Sequence, residues 1–206
     1  MEILLNTFVV LFIVIDPIGL APMFLALTPG TSPAYQRKMA LNGTLLASGM
    51  LLVFYFVGDM LLAALGIGIP AFRIAGGVLL FLLAIDMVFA RQSGLRSTTI
   101  REQREAETKQ DISVFPLAFP LIAGPGALTT VLLMSSTAKG TFAFAGTLMV
   151  LLLVLGFTLV SLLYAARILH FLGETGANVI SRLFGLILAA LAVQFILDGV
   201  RASFNG

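Results

Sequence analysis

Apolar residues run along this chain in six long blocks, at about 3–27, 41–65, 72–90, 113–136, 142–167 and 180–200. A bilayer core of about 30 Å takes roughly 20 residues of helix, so each block is long enough to span one. The pattern predicts an all-α integral membrane protein with six transmembrane helices. Turn-forming residues mark the joints: Thr28-Pro29-Gly30-Thr31-Ser32-Pro33, the stretch 66–70, Lys139-Gly140 and the stretch 173–178. One stretch, 91–111, is strongly polar and divides the blocks three and three. The organisation read from this is one membrane domain over 1–206, with a first half of about 1–90, a cytoplasmic linker at 91–112 and a second half of about 113–206.

Two blocks are interrupted near their centres. The first carries Asp16-Pro17-Ile18-Gly19 and Pro22; the second carries Pro116, Pro120 and then Gly124-Pro125-Gly126. Proline removes a backbone donor and clashes with the preceding turn, so a smooth helix interior avoids it. Asp16-Pro17 reads as a helix start, with Asp as N-cap and Pro in the first turn. Helices 1 and 4 are therefore expected to be broken. Matching breaks in two halves of a membrane chain point to a transporter's binding site. Kinks tolerated through packing are the structural alternative.

Three spans per half is an odd number, so the second half crosses the membrane in the opposite sense. Short matches link the halves in the same order. Asp16-Pro17 corresponds to Gly124-Pro125, and Asp86 to Gln194 at the same interval. Gly43-Thr44-Leu45 corresponds to Gly146-Thr147-Leu148, and Arg73-x-x-Gly76 to Arg182-x-x-Gly185. The expectation is two inverted three-helix repeats.

Composition agrees with a membrane chain: 59% hydrophobic, 11% charged, mean hydropathy +1.08 over 206 residues. There is no cysteine and one histidine, His170, which excludes disulfides, thiol chemistry and a multi-histidine metal centre. The net charge of +2 does not describe a nucleic-acid surface. Positive residues set orientation. Nine lie in the loops after spans 1, 3 and 5, and three (Arg73, Lys139 and Arg201) on the opposite side. Both termini are expected outside the cytoplasmic (inner) membrane. Met1-Glu2 carries no basic n-region, so the first block reads as a retained span, and no soluble domain is expected at either end.

Asp16 stands near the middle of span 1, where a carboxylate costs on the order of 3 kcal/mol, and such residues are functional by default. Half-helix N-termini at Gly124, Pro125 and Gly126 suit a substrate carboxylate. Asp16, with freed carbonyls near Pro17, Gly19 and Pro22, suits an ammonium group or a coupling ion, H⁺ or Na⁺. Asp86 is a second ion-coupling candidate, or an inert interfacial residue close to Arg91. Gln194 either contacts substrate or ties helices together. Asp59 with Arg73, Glu174 with Arg182, and Asp198 with Arg201 read as interfacial pairing or snorkelling. His170 reads as an interfacial anchor.

Asp16-Pro-Ile-Gly-x-x-Pro22, Pro116-Leu-Ala-x-Pro120 with Ala-Gly-Pro-Gly126, Arg73-Ile-Ala-Gly-Gly77, and Ser181-Arg-Leu-x-Gly185 with Gln194 resemble the MarC family across essentially the whole chain. The resemblance implies a six-span inner-membrane protein grouped with small neutral amino acid transporters. It marks the two broken segments, Arg73, Gly76, Gly77, Arg182, Gly185 and Gln194. Three functions compete. The first is an ion-coupled secondary transporter of glycine or alanine, with substrate at mid-membrane. The second is a passive channel or non-transporting membrane subunit. The third is an intramembrane enzyme, disfavoured because no nucleophile–base pair stands out. No cofactor is expected, and no G-x-x-x-x-G-K-[ST] motor motif occurs. The expected partners are a small-molecule substrate and the lipid bilayer, with a homo-oligomer compatible with the chain.

Overall fold

The computed structural model describes residues 2–89, 111–138 and 140–204. Among these residues the protein is helical without a strand. The first span is two helices, α1 (Glu2–Ile15) and α2 (Pro17–Leu27), joined at Asp16. Helix α3 (Pro33–Ala64) follows a loop stapled by Gln36, whose amide donates to the Thr28 carbonyl at 3.4 Å and hydroxyl at 3.3 Å. Ser32 caps α3, accepting from the Tyr35 N–H at 3.3 Å, and Pro33 occupies its first turn. This helix starts well before the expected 41. Arg37 and Lys38 belong to its first turns, which extend the helix past the hydrocarbon: its 32 residues reach about 48 Å, against a core of about 30 Å.

Helix α4 (Ile69–Phe89) closes the first half. The second half opens with a wide π-type segment, Ser113–Ile122, followed by α5 (Pro125–Thr137), the two bent by 58°. Then come α6 (Thr141–Leu163) and α7 (Ala165–Phe204), the latter interrupted at Gly173, where φ is 68°. Only glycine holds that backbone at little cost. The expected turn at 173–178 thus contracts to one residue, and the last span runs over Thr175–Phe204. Among the described residues five helical spans are long and apolar enough to cross a membrane, with α1 and α2 taken together as one, and six if the bent pair is counted as a span. The linker residues Arg91, Arg96, Arg101, Arg104 and Lys109, as well as Lys139 and the Glu174 side chain, lie outside the described residues.

The broken segments form the middle of the bundle. Ile15, Leu20, Phe24, Leu117, Ile122 and Leu132 are all buried there. Among the five unbent spans the first is the most enclosed, 56% of its most apolar stretch being buried, and the last the least, at 22%. Helices α4 and α7 lie antiparallel along a seam of glycines. A methyl group at Gly77 would stand 2.8 Å from the Ala192 carbonyl; at Gly185, 3.1 Å from that of Ala84; at Gly199, 2.8 Å from that of Pro70. Backbones that approach this closely gain dispersion contacts, which hold membrane helices together where apolar burial offers no net advantage over lipid. This explains the glycines of the Arg73–Gly77 and Arg182–Gly185 motifs as packing residues.

Candidate functional site

Asp16 is 2% exposed and holds a left-handed conformation, φ 51° and ψ 65°. Asp is among the few non-glycine residues that adopt it, because the short polar side chain bonds locally. The backbone ladder resumes at once: the Asp16 N–H donates to the Phe12 carbonyl at 2.9 Å, and its carbonyl accepts from the Leu20 N–H at 3.0 Å. The carboxylate is split between two elements. Oδ1 accepts from the Gly19 N–H at 3.0 Å, capping α2, and Oδ2 accepts from the Ser181 hydroxyl of α7 at 2.9 Å. A methyl group at Gly19 would collide with both Asp16 Oδ2 and Ser181 Oγ, so only glycine lets the carboxylate cross there. The Pro17 carbonyl accepts from the Ser161 hydroxyl of α6. Pro22 sits half-buried inside α2.

The second break is made by backbone alone. Phe115 (φ −133°, ψ 125°) and Phe119 (φ −130°, ψ 128°) are extended, each before a proline in the cis form. A residue before proline is driven out of the helical region, and the Phe-Pro pair recurs after four residues. The segment keeps wide hydrogen bonds around these points, Leu117 N–H to the Ile112 carbonyl at 3.2 Å and Ala123 N–H to the Ala118 carbonyl at 2.8 Å. Its start is tied by Asp111, which accepts from the Ser113 N–H at 2.8 Å and from the Ser113 hydroxyl. The hydroxyl first, then the N–H, hold the Asp111 carboxyl below the usual carboxylate range, with Lys38 adding to both.

Helix α5 starts at Gly124, which has no side chain to cap it, with Pro125 in its first turn. A methyl group at Gly124 would strike the Pro120 carbonyl. One at Gly126 would meet Leu83 at 3.0 Å, Leu80 at 3.1 Å and Val14 at 3.8 Å. A cavity opens here, lined by Val14, Leu83, Leu121, Ile122 and residues 124–127. The space in which a water's centre fits is about 10 Å³, room for about one water. Val14 lies two residues before Asp16, so the two breaks adjoin at this cavity. On the facing helix α3, Leu117 seats against Gly43, and the neighbouring Thr44 hydroxyl is buried without a partner.

The cavity gathers Gly124, Pro125 and Gly126 but not the Asp16 carboxylate, which is turned toward α7. Asp86 is half-buried on α4, one turn beyond the cavity-lining Leu83. Gln194 is exposed on α7 and donates to Asp198 Oδ1 at 2.8 Å. Because Gly185 packs on Ala84 and Met87 while Ala192 packs on Gly77, Gln194 and Asp86 stand about 13 Å apart along the helix pair. Asp198 therefore bonds Gln194; Asp59 is exposed and Arg73 half-buried. His170 is exposed on the short helical stretch before Gly173, near Arg167, whose guanidinium lies 5.0 Å from the Tyr164 ring centre. Ser161 and Ser181 carry the first break's long-range bonds and were not among the candidates. Ser161 has no sequence signal beyond a small hydroxyl at the inner part of a span, whereas Ser181 opens the Ser181–Gly185 motif. Among the described residues no group of three or more His, Asp or Glu side chains could hold a metal.

The sequence matches the family described as MarC family integral membrane protein over residues 1–204. The chain belongs to the MarC family. The UPF0056 membrane protein YvbG of Bacillus subtilis is 37% identical over 98% of this chain and 95% of its own length. The UPF0056 inner membrane protein YhgN of Escherichia coli K12 is 35% identical, with both chains covered in full. A UPF0056 membrane protein of Archaeoglobus fulgidus is 37% identical over 94% of this chain and 90% of its own. No solved structure matches the chain. This MarC-family member is thus an integral membrane protein whose relatives include one named for the inner membrane.

Proposed function

We propose that this MarC-family protein is a secondary transporter of small neutral amino acids, glycine or alanine, coupled to H⁺ or Na⁺. The observation that carries the reading is the meeting of the two helix breaks, with Val14 and Gly126 lining one cavity midway along the first span. Irregular backbone at this depth persists where protein or a cavity satisfies it, and transporter sites are built from such discontinuous helices. The uncapped N-terminus of α5 offers N–H groups and partial positive charge to a substrate carboxylate. No side chain larger than hydrogen at Gly124 and Gly126 stands in the way. Asp16 supplies the one full charge at the breaks and is the coupling group.

In this reading the two halves are inverted repeats, and both termini face outward from the cytoplasm. A cavity of one water cannot hold an amino acid, so the described state is closed and substrate binding requires the breaks to separate. The test is uptake of labelled glycine and alanine into liposomes carrying the purified protein, with H⁺ or Na⁺ gradients imposed. Saturable uptake that follows one gradient is expected. Uptake equal to that of empty liposomes for both amino acids removes the substrate assignment, and unsaturable flux indifferent to either gradient replaces the transporter with a channel.

A further inference from the structure

We propose that the outward face of α7 is the contact surface between two copies of this chain, with Gln194 at its centre. Leu183, Ile187, Ala190, Gln194, Leu197 and Arg201 follow one another at alternating intervals of four and three residues. That is the 3.5-residue repeat of a helix packing along its length against another helix. All six are exposed, and they lie opposite the Gly185–Ala192–Gly199 seam that faces α4. The same helix is the least buried of the five unbent spans, at 22%.

An apolar stripe alone would say nothing about what covers it, since lipid tails serve as well as leucines. Gln194 changes that. It lies level with Gly77 of α4 and about 15 Å from the end of α7 at Phe204, within the hydrocarbon part of the span. One amide N–H is bonded to Asp198; the other N–H and the amide oxygen have no partner among the described residues. A polar group in hydrocarbon without a partner is costly. Interhelical bonds from Gln side chains are a recognised remedy.

Symmetry selects the partner. Two copies inserted in the same sense are related by an axis along the membrane normal, so their α7 helices run parallel and each seam residue meets its own equivalent. An amide is self-complementary, carrying both a donor and an acceptor. A carboxylate or a guanidinium is not. The bond to Asp198 takes one amide N–H and leaves the other N–H and the oxygen for an equivalent amide, and Ala190, one turn away, allows close approach. Arg201 ends the seam: its guanidinium would repel its own equivalent, and its apolar stem carries the charge out to water.

The natural absence of cysteine makes the test direct. Ala190→Cys and Leu197→Cys are placed singly in the full chain and oxidised in native membranes. Leu191→Cys and Ala202→Cys, about 100–140° around the helix from both seam positions, serve as off-seam controls. A disulfide-linked product of twice the chain's mass is expected at the two seam positions, at least about fivefold more than at the controls. Adding Gln194→Leu to Ala190→Cys should lower that product about threefold, the equivalent of one interhelical hydrogen bond, and Gln194→Asn should restore it. Monomer alone at both seam positions overturns the proposal; so does equal linkage at the controls, or a product of another mass, which would mark a different protein as the partner. The linkage pattern of the single-cysteine chains decides the matter even if Gln194→Leu fails to insert, and it is independent of transport.

Discussion

The two breaks of this bundle differ in what ends them. At Asp16 one residue leaves the helical region, and its own carboxylate occupies the N-terminus it exposes, so the span continues with its ladder nearly intact. At the second break a ten-residue π-type segment turns by 58° into a helix that no side chain caps. The first break is filled by its own side chain and bonded across the bundle through Ser181 and Ser161; the second is open toward a cavity. A helix start already occupied by a carboxylate has no vacancy for a second one. In the transporter proposed above, that contrast would separate the roles, with anion recognition at residues 124–126 and Asp16 answering to a cation or proton.

Substitutions can break this contrast, the second break being the most sensitive. Gly124→Ala places a methyl group on the Pro120 carbonyl, a backbone atom that cannot swing aside. A loss of about 3 kcal/mol is expected, read as a lowered unfolding temperature of the purified protein. A melting curve like wild type would mean the 58° bend has slack that the geometry denies. Gly19→Ala should cost slightly less, about 2 kcal/mol, because it displaces the charge-assisted bonds of Asp16 rather than the chain itself. Adding Ser181→Ala to it should change stability little further, since the bond is already lost; additive losses would show that the two residues act separately.

Asp16 itself is best tested as a pair. Asp16→Ala loses the cap and strains the left-handed backbone, about 2 kcal/mol together, whereas Asp16→Asn keeps both and should stay within about 1 kcal/mol. If Asp16 is the coupling group, the Asn chain folds but loses dependence of uptake on the ion gradient. Gradient-driven uptake at the wild-type level in Asp16→Asn would sink that role. The smallest effect is expected at Asp111, which ties the start of the second break. Its carboxyl is held low in the folded protein, so the stabilisation is present at neutral pH and fades as pH falls through the folded value. Asp111→Asn should therefore lower the melting temperature slightly at pH 7 and leave it unchanged in strong acid.

The breaks were legible in the sequence because Asp-Pro and Gly-Pro-Gly are local punctuation, and a helix responds to them within one turn. The six spans were legible for the same reason that hydropathy works: backbone groups in lipid must bond internally. The start of α3 was not, because charge marks where the hydrocarbon ends, and a helix with Ser32 and Pro33 at its start extends past that point. The repeated Phe-Pro was visible, but two extended residues inside a wide helix depend on how the surrounding bundle accommodates them. The bonds from Ser161 and Ser181 join residues more than 140 positions apart, and no local pattern encodes them. For Gln194 the interval with Asp86 allows either a substrate contact or a tie between helices. The glycine seam rotates Gln194 to the far side of α7.

That seam has one more consequence. Helix α4 touches the second break through Leu80 and Leu83, and α7 touches the first through Ser181. At Gly77, Gly185 and Gly199 the two helices meet backbone to backbone, with the Ile196, Met87 and Ile74 side chains seated on the same glycines, which leaves little room to absorb a displacement between them. They form a yoke with one arm on each broken span, so that a shift of either span large enough to move its arm is delivered to the other.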